Sequence, residues 1–560
     1  MKQRISGNYE QFLPDDKKSR WASVEEIQRS TSFINGSNKH YNVAGMPVLS
    51  DGEKFYVDNT DTHSLIFGST GSKKTRLFCM PMLNIFCRAG ESFIVTDPKG
   101  ELFERTSGEA KANGFNIITL DYRNLGAGDM WNPLTKPYEL YQAGYEDEAV
   151  TMLNDFVASI SAPYEGGNGM GNDPFWTSMA SSLALANLLL LMECGKKEEV
   201  HPASFAKLCS AESLEKLEYI AKYNIDPESI AGMNYNGVFV SADKTQQSIF
   251  VSLYAMVNVF NTQKKLTRML SDSSFDICDI GRRKTAVYII VPDEKTTYNF
   301  LITTFIKQAY QTLITESQKE KDGKLPIRVN FVLDEFCNIP KIDDMPAMIS
   351  AARSRNIRFY LFVQSLHQLR ERYGDSSDTI KGNCENWVFL ASKELALLEE
   401  ISALCGRNDN VPLINTSELQ HLRKDIGEAL IIQGRNFPIV TELADIDDYK
   451  IFEKLPKVER EVKIPEKLAF FNLSHVRELL GEKVLFSEEN GEKTKIGSYA
   501  AYIKSVFNRQ MEALDKKLSE LEEKARRISE QEALEALEMQ KKVRDELEKE
   551  FEDILKQVND

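Results

Sequence analysis

Short apolar runs punctuate this chain after a polar leader. Ser64–Phe67, Ser92–Thr96, Phe115–Leu120, Thr285–Val291, Val329–Leu333, Phe359–Val363 and Trp387–Ala391 are mostly four to seven residues long and rich in Ile, Val and Phe. Charged or glycine-rich turns close them, and longer stretches of helical period lie between. Strands apolar on both faces and alternating with helices predict a parallel sheet of the α/β class. From about Tyr138 to Asn261 the strand signal stops; helices and loops are expected there, including a glycine-rich stretch at 166–171. Near the end, Ala429–Ile432 and Pro438–Val440 flank the turn Gly434-Arg435-Asn436, which predicts a strand pair at the sheet edge.

From Leu443 to about Gly497 no domain pattern stands out. Beyond Tyr499 the chain lacks Gly and Pro up to Val558, and Leu514, Leu518, Leu521, Ala525 and Ile528 repeat at alternating four- and three-residue spacing. That spacing lays one apolar stripe along a helix. Its register slips after Ile528, so the stripe suits either a helix packed on its own domain or a partner-binding coil.

Composition narrows the picture. With 560 residues and 42% hydrophobic positions, the chain has room for two or three domains around sizeable cores. Eight scattered cysteines without a C-x-x-C pair read as reduced thiols, mostly in the core. Met1 to Arg20 alternates charged and polar residues and lacks the apolar segment of a secretory signal, so no export is expected. Phe175 to Met192 is the least charged stretch, but Thr177, Ser178, Ser181, Ser182 and Asn187 interrupt it, and a buried helix is expected. A net charge of −15 argues against an extended nucleic-acid-binding surface, although a local basic channel would not show in the sum. The six histidines are isolated and form no metal cluster with cysteine.

The candidate chemistry starts at Gly68-Ser69-Thr70-Gly71-Ser72-Lys73-Lys74-Thr75, which follows a predicted strand and precedes a helical pattern. A phosphate-binding loop needs that setting, because backbone N–H groups and a helix N-terminus then face the phosphates. Lys74 would neutralise the β/γ charge and Thr75 would hold magnesium. Lys73 stands where the pattern wants glycine; it brings a Cβ close to the loop backbone and a second positive charge. The run Val329–Leu333 leads directly into Asp334-Glu335, an arrangement in which the aspartate serves a metal and the glutamate polarises water. An Asp-Glu pair placed for a helix dipole would read the same way. Gln364 ends the next strand, where a neutral polar group can sense a γ-phosphate. Arg353, in Ala351-Ala352-Arg353-Ser354-Arg355, could reach a neighbouring subunit's phosphate, or be an ordinary solvated arginine.

Taken together, these blocks resemble the TraG-type coupling proteins of conjugation and type IV secretion, across roughly Gly45 to Ile446. The resemblance is carried by His63-Ser64-Leu65-Ile66 before the loop, Asp97-Pro98-Lys99-Gly100-Glu101-Leu102, Trp131-Asn132-Pro133-Leu134, Asp173-Pro174-Phe175-Trp176, Leu333-Asp334-Glu335-Phe336 and Val363-Gln364-Ser365, in that order. It implies a RecA-like P-loop NTPase domain with an inserted all-α domain, ATP and Mg²⁺ as cofactors, and a homo-hexamer with ATP between subunits. On this basis residues 1–60 are a leader and the start of the nucleotide-binding domain, which continues over 61–137 and 262–446. The insertion is 138–261, a connecting region 447–498, and a C-terminal helix or coiled coil 499–560.

Lys74, Asp334, Glu335, Gln364 and Arg353 would then be catalytic, Gly68 to Thr75 would cradle phosphate, and Thr75 and Asp334 would hold the metal. The implied partners are a relaxase–DNA complex, single-stranded DNA and type IV secretion channel subunits. The family's amino-terminal membrane anchor is not found here; either a separate membrane subunit recruits the protein or the anchor has been lost or removed, and a cytoplasmic protein at the membrane face through partners is expected. Three functions fit: a motor ATPase delivering relaxase-bound DNA, a nucleotide-bound docking receptor with little hydrolysis, and another P-loop DNA translocase. Lys73 keeps the second open, whereas the Trp131 and Asp173 blocks speak against the third.

Overall fold

The computed structural model describes residues 19–164, 174–459 apart from 293, 409 and 453, and 464–480, together with the strand pair Leu485–Glu489 and Glu492–Ile496 and a few isolated positions beyond. The glycine-rich stretch 166–171, Asp173 and the stripe Leu514, Leu518, Leu521, Ala525 and Ile528 lie outside the described residues.

Three short strands, β1 (Ser32–Asn35), β2 (Met46–Ser50) and β3 (Lys54–Asp58), come first and make a small antiparallel sheet in the order β1-β3-β2. The sequence of residues 1–60, expected as a leader and the start of the nucleotide-binding domain, shows no strand pattern, for a local reason. Pro47 and a register break before Leu49 interrupt β2, and β1 alternates polar with apolar over only four residues.

The main sheet follows, with β4 (Ser64–Phe67), β5 (Ser92–Asp97), β6 (Asn116–Asp121), β7 (Thr285–Ile290), β8 (Val329–Leu333), β9 (Ile357–Val363) and β10 (Asn386–Phe389). A two-residue pair, β11 (Arg407–Asn408) and β12 (Val411–Pro412), precedes β13 (Glu428–Gln433) and β14 (Ile439–Glu442). The order is β14-β13-β10-β4-β9-β8-β5-β7-β6. From β10 to β6 every neighbour is parallel, while β13 and β14 close one edge as the expected antiparallel pair. The fold is therefore α/β with a mainly parallel central sheet. Every residue of β4, β5, β7, β8, β9 and β10 is buried, which explains why these strands read as unbroken apolar runs rather than alternating ones. Alternate side chains (Ile66, Phe93, Val95, Tyr288, Val332, Phe362) join one core with Leu83 and Phe86 of the helix Met80–Ala89.

The chain divides into two compact units: 1–172 with 197–204 and 256–470, and 173–196 with 205–255 and 471–560. The first contains the sheets formed by β1 to β14 and also the helices Thr135–Gln142 and Glu146–Ser161, which fall inside the stretch read as the insertion. In the second, the helices Pro174–Cys194 and Ile230–Phe239 pack together. Tyr235 donates to Asn187 at 2.8 Å in the buried interior of this unit, which gives the polar Asn187 a partner. Among the described residues Pro174–Cys194 is the one helix long and apolar enough to cross a membrane, and 61% of its most apolar window is buried. All eight cysteines are buried and unpaired.

Two buried polar groups hold the middle of the main sheet. Arg358, only 1% exposed in β9, donates to Asn330 of β8 at 2.8 Å and to the Ala44 carbonyl at 3.1 Å, and pairs with Glu91. His63, just before β4, accepts from the Phe359 amide at 3.0 Å through Nδ1, and burial pushes its pKa down to about 4.

Removing Glu91 would leave the Arg358 guanidinium buried without its carboxylate. Glu91→Ala is therefore expected to destabilise the first unit by roughly 3–5 kcal/mol, checked by urea unfolding against wild type. For His63 the folded pKa lies below the unfolded one, so the unfolded chain binds the extra proton. The stability from the neutral ring is complete above about pH 6.5 and is lost as pH falls through 6.5 toward 4. His63→Asn, which keeps an acceptor at the Nδ1 position, is expected to flatten that part of the stability–pH curve.

Candidate functional site

Parallel pairing fixes where the candidate residues meet. Phe67 pairs with Val363, Leu361 with Leu333, and Leu333 with Thr96, so the carboxyl ends of β4, β9, β8 and β5 line up at one edge. The loop after β4, Gln364 after β9, Asp334-Glu335 after β8 and Asp97 at the end of β5 are delivered there together, across a sequence span of almost 300 residues.

The loop is tied down at its start, where the Gly68 amide donates to Val363 O at 3.1 Å and that of Ser69 to Ala391 O at 2.9 Å. A Cβ on Gly68 would lie 2.3 Å from Ser72 Oγ and 2.9 Å from Lys74 Cγ, so any larger residue there would have to displace these side chains. Gly71 takes a left-handed φ of 76°, and so does Lys73 at 68°. The glycine expected before Lys74 is thus explained by backbone conformation: an L side chain in this region costs about 1–2 kcal/mol, and Lys73 bears that cost. Its carbonyl accepts from the amides of Arg76 and Leu77 and so starts the following helix, whose first turn, Thr75–Cys79, is wide. The amides of Thr70, Gly71, Lys73 and Lys74 have no partner among the described residues, and the buried Ser72 Oγ has none either. Unpaired donors at a helix start fit an anion.

Lys74 is 6% exposed; its ammonium donates to the Gly68 carbonyl and lies 3.7 Å from Glu335 Oε1. Thr75 Oγ1 lies 3.4 Å from Asp334 Oδ2. Glu335 has a left-handed φ of 53°, and its carboxylate accepts from Gln364 at 2.7 Å and from Asn338 at 3.3 Å. A strained residue held by several partners is typical of functional positions. Burial, reinforced by the Glu335 charge, pushes the Asp334 carboxyl up to about 7, against the pull of Lys74. A buried carboxylate beside a threonine hydroxyl suits a divalent cation, whose charge would return Asp334 to its ionised form.

Arg353 stands elsewhere. It lies in a short turn, Arg353–Arg355, at the amino end of β9, pairs with Glu385, and is half exposed. A seven-residue strand separates it from the Gln364 edge, roughly 20 Å at the usual rise per residue. Within one chain it does not join the site.

Two features were missed in the sequence. Asp97 is 1% exposed; one of its carboxylate oxygens accepts from the Phe103 amide at 2.8 Å, and the other has no partner among the described residues. Burial pushes its carboxyl up to about 6. With Thr96, Asn299, Asp334, Glu335 and Arg372 it lines a cavity of about 360 Å³. The signal was available, since Ser92–Thr96 runs into an acid just as Val329–Leu333 does. The second feature is an acidic turn at Asp445–Asp448, which pairs with Lys73 and Arg76; nothing in the local pattern singles it out. The Trp131-Asn132 block proves to be packing: Trp131 meets Phe305 edge-on at 5.1 Å, and Asn132 donates to Val200 O at 2.7 Å. No cluster of metal-binding side chains of the His, Cys, Asp and Glu kind occurs among the described residues.

The chain is similar to known proteins in sequence and in fold. A conjugal transfer protein TraG of Escherichia coli is 23% identical over 430 residues, covering 70% of this chain and 64% of that protein. Protein VirD4 of Rhizobium radiobacter is 24% identical over 394 residues, covering 67% of this chain and 53% of that one. The chain thus spans between half and two thirds of the length of these relatives. Among solved structures, plasmid coupling protein TrwB in complex with the non-hydrolysable ATP analogue ADPNP superposes with a TM-score of 0.56 at 13% identity, over 80% of this chain and 97% of that one. TrwB in complex with ADP and Mg²⁺ gives 0.54 at 14% identity, over 79% and 95%. At such identity the likeness shows the shared fold, a RecA-like P-loop domain. Residues 20–415, well over half of the chain, match the family described as type IV secretory system conjugative DNA transfer, and the chain belongs to that family.

Proposed function

We propose that this protein is a coupling ATPase that takes relaxase-bound single-stranded DNA to a type IV secretion channel, driven by ATP binding and hydrolysis. The observation that carries the reading is the convergence of the loop 68–75 with Asp334, Glu335 and Gln364 on one sheet edge, in a chain of the conjugative DNA transfer family. In this reading the free loop amides and Lys74 bind the phosphates, and Thr75 and Asp334 hold Mg²⁺. Held there, the cation would supply positive charge that offsets the negative charge of the phosphates. Glu335, steadied by Gln364 and Asn338, orients the attacking water and receives its proton. Gln364, lying 3.5 Å from Thr70 Oγ1, links that glutamate to the loop and would report whether a γ-phosphate is present.

Arg353 lies at the other end of β9 from the site of its own chain, and its proposed part is to complete the site of the next copy in a homo-hexamer. The helical unit would meet relaxase and DNA, with the ring at the cytoplasmic face of the membrane through its channel partners. One observation favours a second reading. Lys73 holds the loop in a conformation that suits glycine, so a nucleotide-bound docking receptor with slow turnover also fits.

Lys74→Ala deletes the charge at the phosphates and is expected to weaken ATP binding at least tenfold, about 1.4 kcal/mol. Glu335→Gln is expected to bind ATP normally while hydrolysis falls by roughly 10²–10⁴-fold, the usual contribution of a positioned base. Equal loss of binding in both variants would contradict these roles. The function itself is tested by ATP hydrolysis of purified protein with and without single-stranded DNA. DNA-stimulated turnover that disappears in Glu335→Gln supports the motor, whereas a wild type that binds ATP without turnover supports the receptor.

A further inference from the structure

The residue before Lys74 does unusual work in this chain. Lys73 carries a left-handed backbone that glycine would adopt freely, and its helix-starting carbonyl and unpaired amide both depend on that conformation. Its side chain is not directed to open solvent. The ammonium lies 3.3 Å from Asp445 Oδ2, and the Asp445 side chain is only 14% exposed. The same carboxylate accepts from Arg76 Nε at 3.0 Å and from the second guanidinium nitrogen, one helical turn further along. Asp447 accepts from Arg76 and, on the helix Glu101–Ala112, from Arg105.

These acids sit on a prepared turn. Asp445 caps the short helix Ile446–Asp448 by accepting from the Asp447 amide at 3.3 Å, and Asp448 accepts from the Asp445 amide at 3.3 Å. Leu443, Ile446 and Tyr449 on either side are buried in the main core, and the Leu443 amide donates to Gly427 O at 3.0 Å. The carboxylates are therefore presented by a fixed scaffold, and fixing a partner in advance reduces the entropy lost when a salt bridge forms. Burial would raise the Asp445 carboxyl, but the Arg76 guanidinium and the Asp447 amide outweigh it and hold the group ionised, below the usual carboxylate range.

We infer that Asp445 is a positioning residue for the phosphate loop: it clamps Lys73 in the left-handed conformation and so supplies what a glycine would give without help. This rests on the nucleotide-binding reading above, because the conformation matters only if the loop amides are to receive phosphate. Without the clamp, residue 73 is free to relax toward ordinary right-handed backbone and turn its own amide and that of Lys74 away. Arg76 keeps Asp447 in either case, so the helix start itself stays anchored.

The test is a double-mutant cycle on the full chain, read as the dissociation constant of a fluorescent ATP analogue, with a thermal melt to verify folding. Asp445→Asn is expected to weaken binding at least fivefold, and Asp445→Glu to restore it largely. In a Lys73→Gly background, Asp445→Asn is expected to change binding less than twofold, since glycine needs no clamp. An equal loss in both backgrounds, no loss in either, or tighter binding in Asp445→Asn would overturn the assignment; the last would make the acidic turn a competitor of phosphate. If wild type itself binds no nucleotide, it is the nucleotide-binding reading that fails, a separate result.

Discussion

Because β4, β9, β8 and β5 run parallel and in register, whatever follows each strand is carried to the same edge of the sheet. Residues as distant as Gly68, Asp334 and Gln364 become neighbours through backbone hydrogen bonding alone. β9 lies between β4 and β8, so Gln364 sits between the loop and the acid pair and bonds to Glu335. The buried Arg358–Asn330–Glu91 group ties β8 and β9 to the loop before β5 in the strand interior. Such a group tolerates few alternative registers, because any slip would leave a guanidinium unpaired in the core.

Much of this was legible from the chain. Strands buried on both faces write themselves as apolar runs, and seven such runs fall on the strands β4 to β10, displaced at most by a residue or two at either end. The loop, Asp334-Glu335 and Gln364 could be found because each directly follows a run. What escaped has physical reasons. β1 to β3 are short and interrupted by Pro47, so no period develops. Asp97 looked like part of a motif without a task, and only its unpartnered oxygen in a shared cavity shows that it belongs to the site. The clamp on Lys73 comes from Asp445, 372 positions away, and no local pattern encodes a tertiary ion pair. Arg353 was read as reaching a neighbouring subunit's phosphate, and the strand direction puts it at the other end of β9 from the site of its own chain.

The loop therefore combines two kinds of constraint. Gly68 is packed closely against the Ser72 and Lys74 side chains, while position 73 is set by dihedral angle and met here by a lysine under an external hold. This makes the loop's shape depend on the turn after β14, at the end of the sheet-forming sequence. A substitution in that turn can reach the nucleotide without touching it.

We propose that Mg²⁺ and ATP bind where the four strand ends meet. A crystal structure of the full chain with Mg²⁺ and a non-hydrolysable ATP analogue is the sharpest check. The β- and γ-phosphates are expected on the amides of the 68–75 loop beside Lys74, the metal between Thr75 and Asp334, and Lys73 still paired with Asp445. A nucleotide bound away from that loop, or a metal held without Asp334, would contradict it.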